Sequence, residues 1–93
     1  ARLASLIISS ETESLAANVA ADLVRAAPRE DGVEVFGPAP APIAQLRGRF
    51  RFRILVKVWR NFNLQTILRA WLASVSWTRA TTVRVDVDPY SFM

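Results

Sequence analysis

The sequence contains no cysteine and no histidine. Without cysteine there is neither a disulfide nor a thiolate ligand for zinc, so neither can staple the fold. Without histidine, no serine–histidine or cysteine–histidine nucleophile system can be assembled from this chain. Only carboxylates remain as metal ligands, and the acids show no calcium-loop or zinc spacing. Long apolar runs are missing too. Leu6-Ile7-Ile8 is far too short to span a bilayer, and nothing resembles a signal peptide. A soluble, cytoplasmic protein with no membrane partner is the expectation. There is also no phosphate-cradling GxxxxGK[ST] loop. An enzyme built from this chain would have to rely on carboxylates, arginine, lysine or tyrosine, which makes autonomous catalysis a poor reading.

What is present is one small apolar domain with an uneven charge. Its 93 residues are 52% hydrophobic, enough for a single core and too few for two. The net charge is +4. Residues 1–46 carry three arginines against six acids, a net −3, whereas residues 47–93 carry nine cations against two acids, a net +7. Eleven of the twelve cations are arginine, a bias that a GC-rich genome would also produce, so position informs more than residue choice. A basic half suits an anionic partner such as nucleic acid or an acidic peptide. The chain starts at Ala1 without an initiator methionine, which fits an excised piece of a longer protein.

Taken in order, Leu3–Ser9 is apolar on both faces and predicts a central strand. Ser10-Glu11-Thr12-Glu13 has the form of a capping box, and Leu15, Val19, Leu23 and Ala27 follow at helical spacing until Pro28. Val33–Phe36 alternates as a short second strand. Gly37-Pro38-Ala39-Pro40-Ala41-Pro42-Ile43 predicts an extended polyproline-like connector. Asn61-Phe62-Asn63 offers caps for a second helix with Leu64, Ile67, Leu68, Trp71, Leu72 and Val75 on its apolar side. Thr82–Asp88 alternates strictly as a fourth strand, which Pro89 ends. The order βαββαβ predicts an α+β, ferredoxin-like domain, a four-stranded sheet with both helices on one face and the first and third strands in the middle.

The third strand, Leu46 to Val58, carries the functional signal. Arg47, Arg49, Arg51, Arg53 and Lys57 hold odd positions, and Phe50, Phe52, Ile54, Val56 and Val58 hold even ones. Alternation puts the cations on one face at intervals of about 6.5–7 Å and the apolar side chains on the other. Like charges in such a row repel unless anions neutralise them. Glu34 on the neighbouring strand could neutralise one arginine, and Asp86 and Asp88 fall on the far edge, so internal acids are too few. Arginine's planar fork binds phosphate or carboxylate through two parallel hydrogen bonds. Phe50, Phe52 and Trp71 read as core, whereas Trp59 shares the parity of the arginines and is a candidate platform for stacking or a partner.

The strings Gly37-Pro38-Ala39-Pro40-Ala41-Pro42-Ile43, Leu46-Arg47-Gly48-Arg49-Phe50-Arg51, Leu64-Gln65 and Val85-Asp86-Val87-Asp88-Pro89, in that order, resemble the C-terminal domain of the replication-restart helicase PriA (primosomal protein N′). The resemblance implies that residues 1–93 are one C-terminal fragment of a bacterial ATP-dependent 3′–5′ DNA helicase, with a fold similar to a small-subunit ribosomal protein. ATP with magnesium, and zinc, would then be bound elsewhere in the parent, with no cofactor in this chain. The implied partners are single-stranded and branched DNA, the acidic C-terminal tail of single-stranded DNA-binding protein and other primosome proteins. By motif match Arg49 and Arg53 fall on the family's tail-binding positions; Arg53 stands where the family often has glutamine, and Trp59 where it usually has a small residue or proline. The alternatives are an independent ferredoxin-like RNA- or ribosome-binding protein and a small metabolite-binding domain or enzyme.

Overall fold

The computed structural model describes residues 1–59 and 62–87. Six elements follow one another: β1 (Arg2–Ser10), α1 (Glu13–Arg25), β2 (Val33–Leu46), β3 (Arg49–Val58), α2 (Leu64–Ala73) and β4 (Thr81–Val87). All strand pairs are antiparallel, and the sheet order is β2-β3-β1-β4. The expected α+β arrangement is therefore present, with the arginine strand and β1 side by side at the centre. Asp88 and Pro89, assigned to the end of the fourth strand, lie outside the described residues, as does Asn61.

The core forms where the even faces of the central strands meet the helices. Ala4, Leu6 and Ile8 of β1 and Ile54, Val56 and Val58 of β3 are buried with Ala16, Val19, Ala20 and Leu23 of α1 and Leu64, Leu68 and Trp71 of α2. Trp71 fixes the two helices to each other: its Nε1–H donates to the Leu23 carbonyl across 2.8 Å in the interior. Such a bond satisfies the one polar group that a buried tryptophan brings with it. Phe52 packs against the cluster and Phe50 is half-buried near the sheet end, so the strand's apolar side thins out toward its start.

Three local expectations are corrected. Ser10 does not act in a capping box. It is the last residue of β1, paired with Phe50 and Thr81 and buried, and its Oγ accepts from the Thr12 amide at 3.2 Å. Thr12 is the N-cap of α1, without a side-chain cap bond. Leu15 is exposed, and Ala16 takes the inward position. At α2, by contrast, the Asn63 side chain accepts from the Thr66 amide at 3.0 Å, as a cap should.

The third correction is larger. The proline-rich segment is not a connector outside the sheet but part of β2, which runs unbroken from Val33 to Leu46 along the edge. Ala39 pairs with Arg53 and Pro40 with Phe52, with irregular register between Phe36 and Ala39 and again between Pro40 and Gln45. An edge strand needs donors toward one neighbour only, and prolines two residues apart delete donors from one side only. Gly37 makes the close approach possible: its φ is 112°, and a Cβ there would lie 2.8 Å from the Arg53 carbonyl oxygen. The Gly37–Pro38 peptide is cis.

Candidate anion-binding site

The face of the sheet opposite the helices carries the arginines. Antiparallel register places directly opposed residues on the same face, so the open side can be read in rows. One row is Thr82–Ser9–Arg51, the next Arg84–Ile7–Arg53–Ala39, then Asp86–Ser5–Leu55–Phe36, then Leu3–Lys57–Glu34. Glu34 therefore sits opposite Lys57 and not beside an arginine, which corrects the pairing expected for it. Asp86 makes its ion contact with Arg84 of its own strand, at 3.7 Å and exposed to solvent, where such pairs contribute little.

Arg47 is not part of the strand row. The β2–β3 hairpin closes between Leu46 and Arg49, leaving Arg47-Gly48 as a two-residue loop with φ of 52° and 77°. Positive φ at both central positions is the geometry that matches the twist of paired strands. Arg47 thus projects from the tip of the hairpin and overhangs the row that begins with Arg49.

Two of the strand arginines, Arg49 and Arg51, are held by neutral partners. Arg49 donates through Nε to Ser9 Oγ at 3.4 Å, and through Nη2 to the Ser9 carbonyl at 3.0 Å and to Thr82 Oγ1 at 3.1 Å. It reaches across β1 to β4 and ties three strands together. Arg51 donates through Nη1 to the Ile43 carbonyl at 3.0 Å and so pins the irregular part of β2. None of these acceptors is a carboxylate. Arg49 and Arg51 are thus held by hydrogen bonds to neutral oxygens, and neither has a carboxylate partner among the described residues.

Arg47, Arg49, Arg51 and Arg84 surround a pocket of about 250 Å³, with Ile7, Ser9 and Leu46 between them. Arg49 also borders a hollow of about 290 Å³ on its other side, shared with Ser10, Glu11 and Arg79. Larger hollows, of about 370 and 400 Å³, lie near the ends of the helices; the first is lined by one arginine, Arg25, already paired with Asp22, and the second by no cation. Of the five cations expected to act together, the structure brings Arg47, Arg49 and Arg51 into one pocket. Arg53 and Lys57 continue along the same face outside it. Lys57 places its Nζ 5.0 Å from the centre of the Trp59 ring.

A family model described as the primosomal protein N C-terminal domain matches residues 1–90. The chain belongs to the primosomal protein N C-terminal domain family. It is 36% identical over 91 residues to proteins named replication restart protein PriA from Rickettsia conorii and Rickettsia typhi, and 35% identical to that of Rickettsia prowazekii. Each match covers 98% of this chain and 14% of the relative, so the chain spans about a seventh of the proteins it resembles. Within this member of the primosomal protein N C-terminal family, sequence reasoning passed over Arg84, Ser9 and Thr82. Arg84 alternates with Val83 and Val85, so its face was readable. Its place beside the arginine pocket depends on the pairing of β4 with β1, which brings together residues more than seventy positions apart.

Proposed function

We propose that this chain is the DNA- and protein-binding C-terminal module of a bacterial replication-restart helicase, with no chemistry of its own. The pocket framed by Arg47, Arg49, Arg51 and Arg84 takes the acidic C-terminal tail of single-stranded DNA-binding protein. The cations beyond it, Arg53 and Lys57, lie along the path of a DNA backbone. ATP hydrolysis and zinc binding belong to other segments of the parent, and the remaining primosome proteins are further partners.

The observation that carries this reading is the tethering of Arg49 and Arg51 to carbonyl and hydroxyl oxygens. Ordering a free arginine on binding costs rotamer entropy of about 0.5–1.5 kcal/mol. Here that cost is met in the folded domain. The apolar patch between the cations, Ile7 and Leu46, suits a peptide end with both carboxylates and an apolar side chain better than a bare phosphate. The names of the relatives, all replication restart proteins, agree with the assignment.

The test is titration of the domain with an acidic tail peptide and with single-stranded DNA at two salt concentrations. Replacing Arg51 or Arg84 by Ala should weaken peptide binding about tenfold, the scale of one lost charge-assisted hydrogen bond. The DNA affinity should fall with salt, with a slope that drops by about 1 for each phosphate contact removed. Failure of both ligands to bind, or peptide affinity indifferent to both substitutions, would refute the reading.

A further inference from the structure

The open face has a second end, away from the arginine pocket, and it is aromatic. Phe36 and Trp59 are 50% and 45% exposed. Phe36 pairs with Leu55 on the arginine side of the sheet. The Trp59 amide donates to the Gly32 carbonyl at 2.9 Å, one step beyond the Val33–Val58 pair, so the β2–β3 ladder continues and Trp59 keeps the parity of Lys57. The Lys57 ammonium over the Trp59 ring places both side chains on that face.

Neither ring serves the core. Trp71 is buried and bonded to Leu23, and Trp77 packs against the core cluster, whereas Trp59 does neither. Phe36 is held in place by its backbone. The positive-φ Gly37 beside it lets β2 press against the Arg53 carbonyl, and Phe36 itself stays half-exposed. Both rings lie on the same face as Arg51, Arg53 and Lys57, whose rows repeat at about 6.8 Å along β3. That interval is commensurate with the repeat of an extended polynucleotide. Among the described residues the acids of this end are Glu34, opposite Lys57 on β2, and Asp86 on β4 in the row of Phe36, so a phosphate path runs over β3 and over neither of those strands.

We propose that Phe36 and Trp59 are stacking platforms for the bases of single-stranded DNA, with Arg53 and Lys57 following its phosphates. The proposal rests on the anion-binding reading above and adds a base-contacting subsite to it. Rings of this kind take any base, because every base has a π-face, and cations beside them supply the backbone contacts. The strand would lie along β3, and the peptide pocket at the hairpin end would stay free for its own ligand.

The deciding experiment compares an oligothymidylate of about ten nucleotides with the same strand carrying abasic sugars, each titrated against the 93-residue chain at two salt concentrations. Stacking predicts about tenfold weaker binding of the abasic strand at an unchanged salt slope. Phe36→Ala and Trp59→Ala should lose affinity for the intact strand and erase the difference between the strands, and Trp59→Phe should keep part of it. Melting curves identify any variant that fails to fold, and the abasic comparison needs no variant at all. Equal binding of the two strands with a steep salt slope overturns the stacking subsite and leaves the anion-binding reading standing. No binding of either strand overturns the stacking subsite together with the DNA-binding half of that reading, and the peptide titration decides the other half. Loss of peptide affinity in place of oligonucleotide affinity on Trp59→Ala would assign the rings to a protein partner and overturn the proposal.

Discussion

The two faces of β3 are built from the same ten residues and obey opposite rules. On the even face, Ile54, Val56 and Val58 are fully buried, and nothing about them matters except shape and apolarity. On the odd face, Arg49, Arg51, Arg53 and Lys57 remain half-exposed, and among the described residues none of the three arginines is paired with a carboxylate. The difference teaches where a central strand can carry a binding site. Its neighbours on both sides supply hydrogen-bond acceptors for the long side chains, so Arg49 can be anchored to β1 and β4 at once. An edge strand would offer such support on one side only.

The comparison can be broken most severely from below. Ile54→Ala should cost about 2–5 kcal/mol, read as a large fall in melting temperature, while the folded fraction keeps its anion affinity. Its neighbour Arg53→Ala should show the reverse, a stability change within about 0.5 kcal/mol and a measurable loss of DNA affinity. Trp71→Phe comes next in size. It leaves the Leu23 carbonyl unpaired in the interior and should cost about 1–3 kcal/mol, with no change in binding.

Arg49 sharpens the comparison because it belongs to both sides. Arg49→Lys keeps the charge and loses the fork, so denaturant melts should show a loss of about 1 kcal/mol, while the salt dependence of binding stays close to that of the parent chain. Arg49→Met should lose stability to a similar degree and binding as well. Arg84→Ala is the smallest in stability, because its ion contact with Asp86 is exposed, and should still lower the peptide affinity.

How much of this was readable follows from which forces are local. The alternation of β3 and the helical stripe through Val19 and Leu23 repeat within a few residues, and they specified both the elements and the inward sides. Element order then placed β1 and β3 at the centre. The proline segment was misread because prolines read as excluding any strand pairing, although the edge position that the element order implied for β2 needs donors on one side only. Ser10 was misread as a cap because serine serves equally at a strand end, and the longer reach of β1 decided between the two. The candidate site was half legible. The row of cations could be counted from parity, but the break at Arg47-Gly48 and the arrival of Arg84 depend on hairpin geometry and on nonlocal pairing.

The hairpin tip has a consequence of its own. Arg47 holds a left-handed backbone, φ 52°, where glycine is comfortable and a side chain with a Cβ costs about 1–2 kcal/mol. The best residue for folding and the best residue for the pocket are therefore different at this position. Arg47→Gly should raise the melting temperature slightly while weakening peptide binding, so selection for stability alone would drift away from arginine. The arginine at the tip is a residue that the backbone geometry there does not call for.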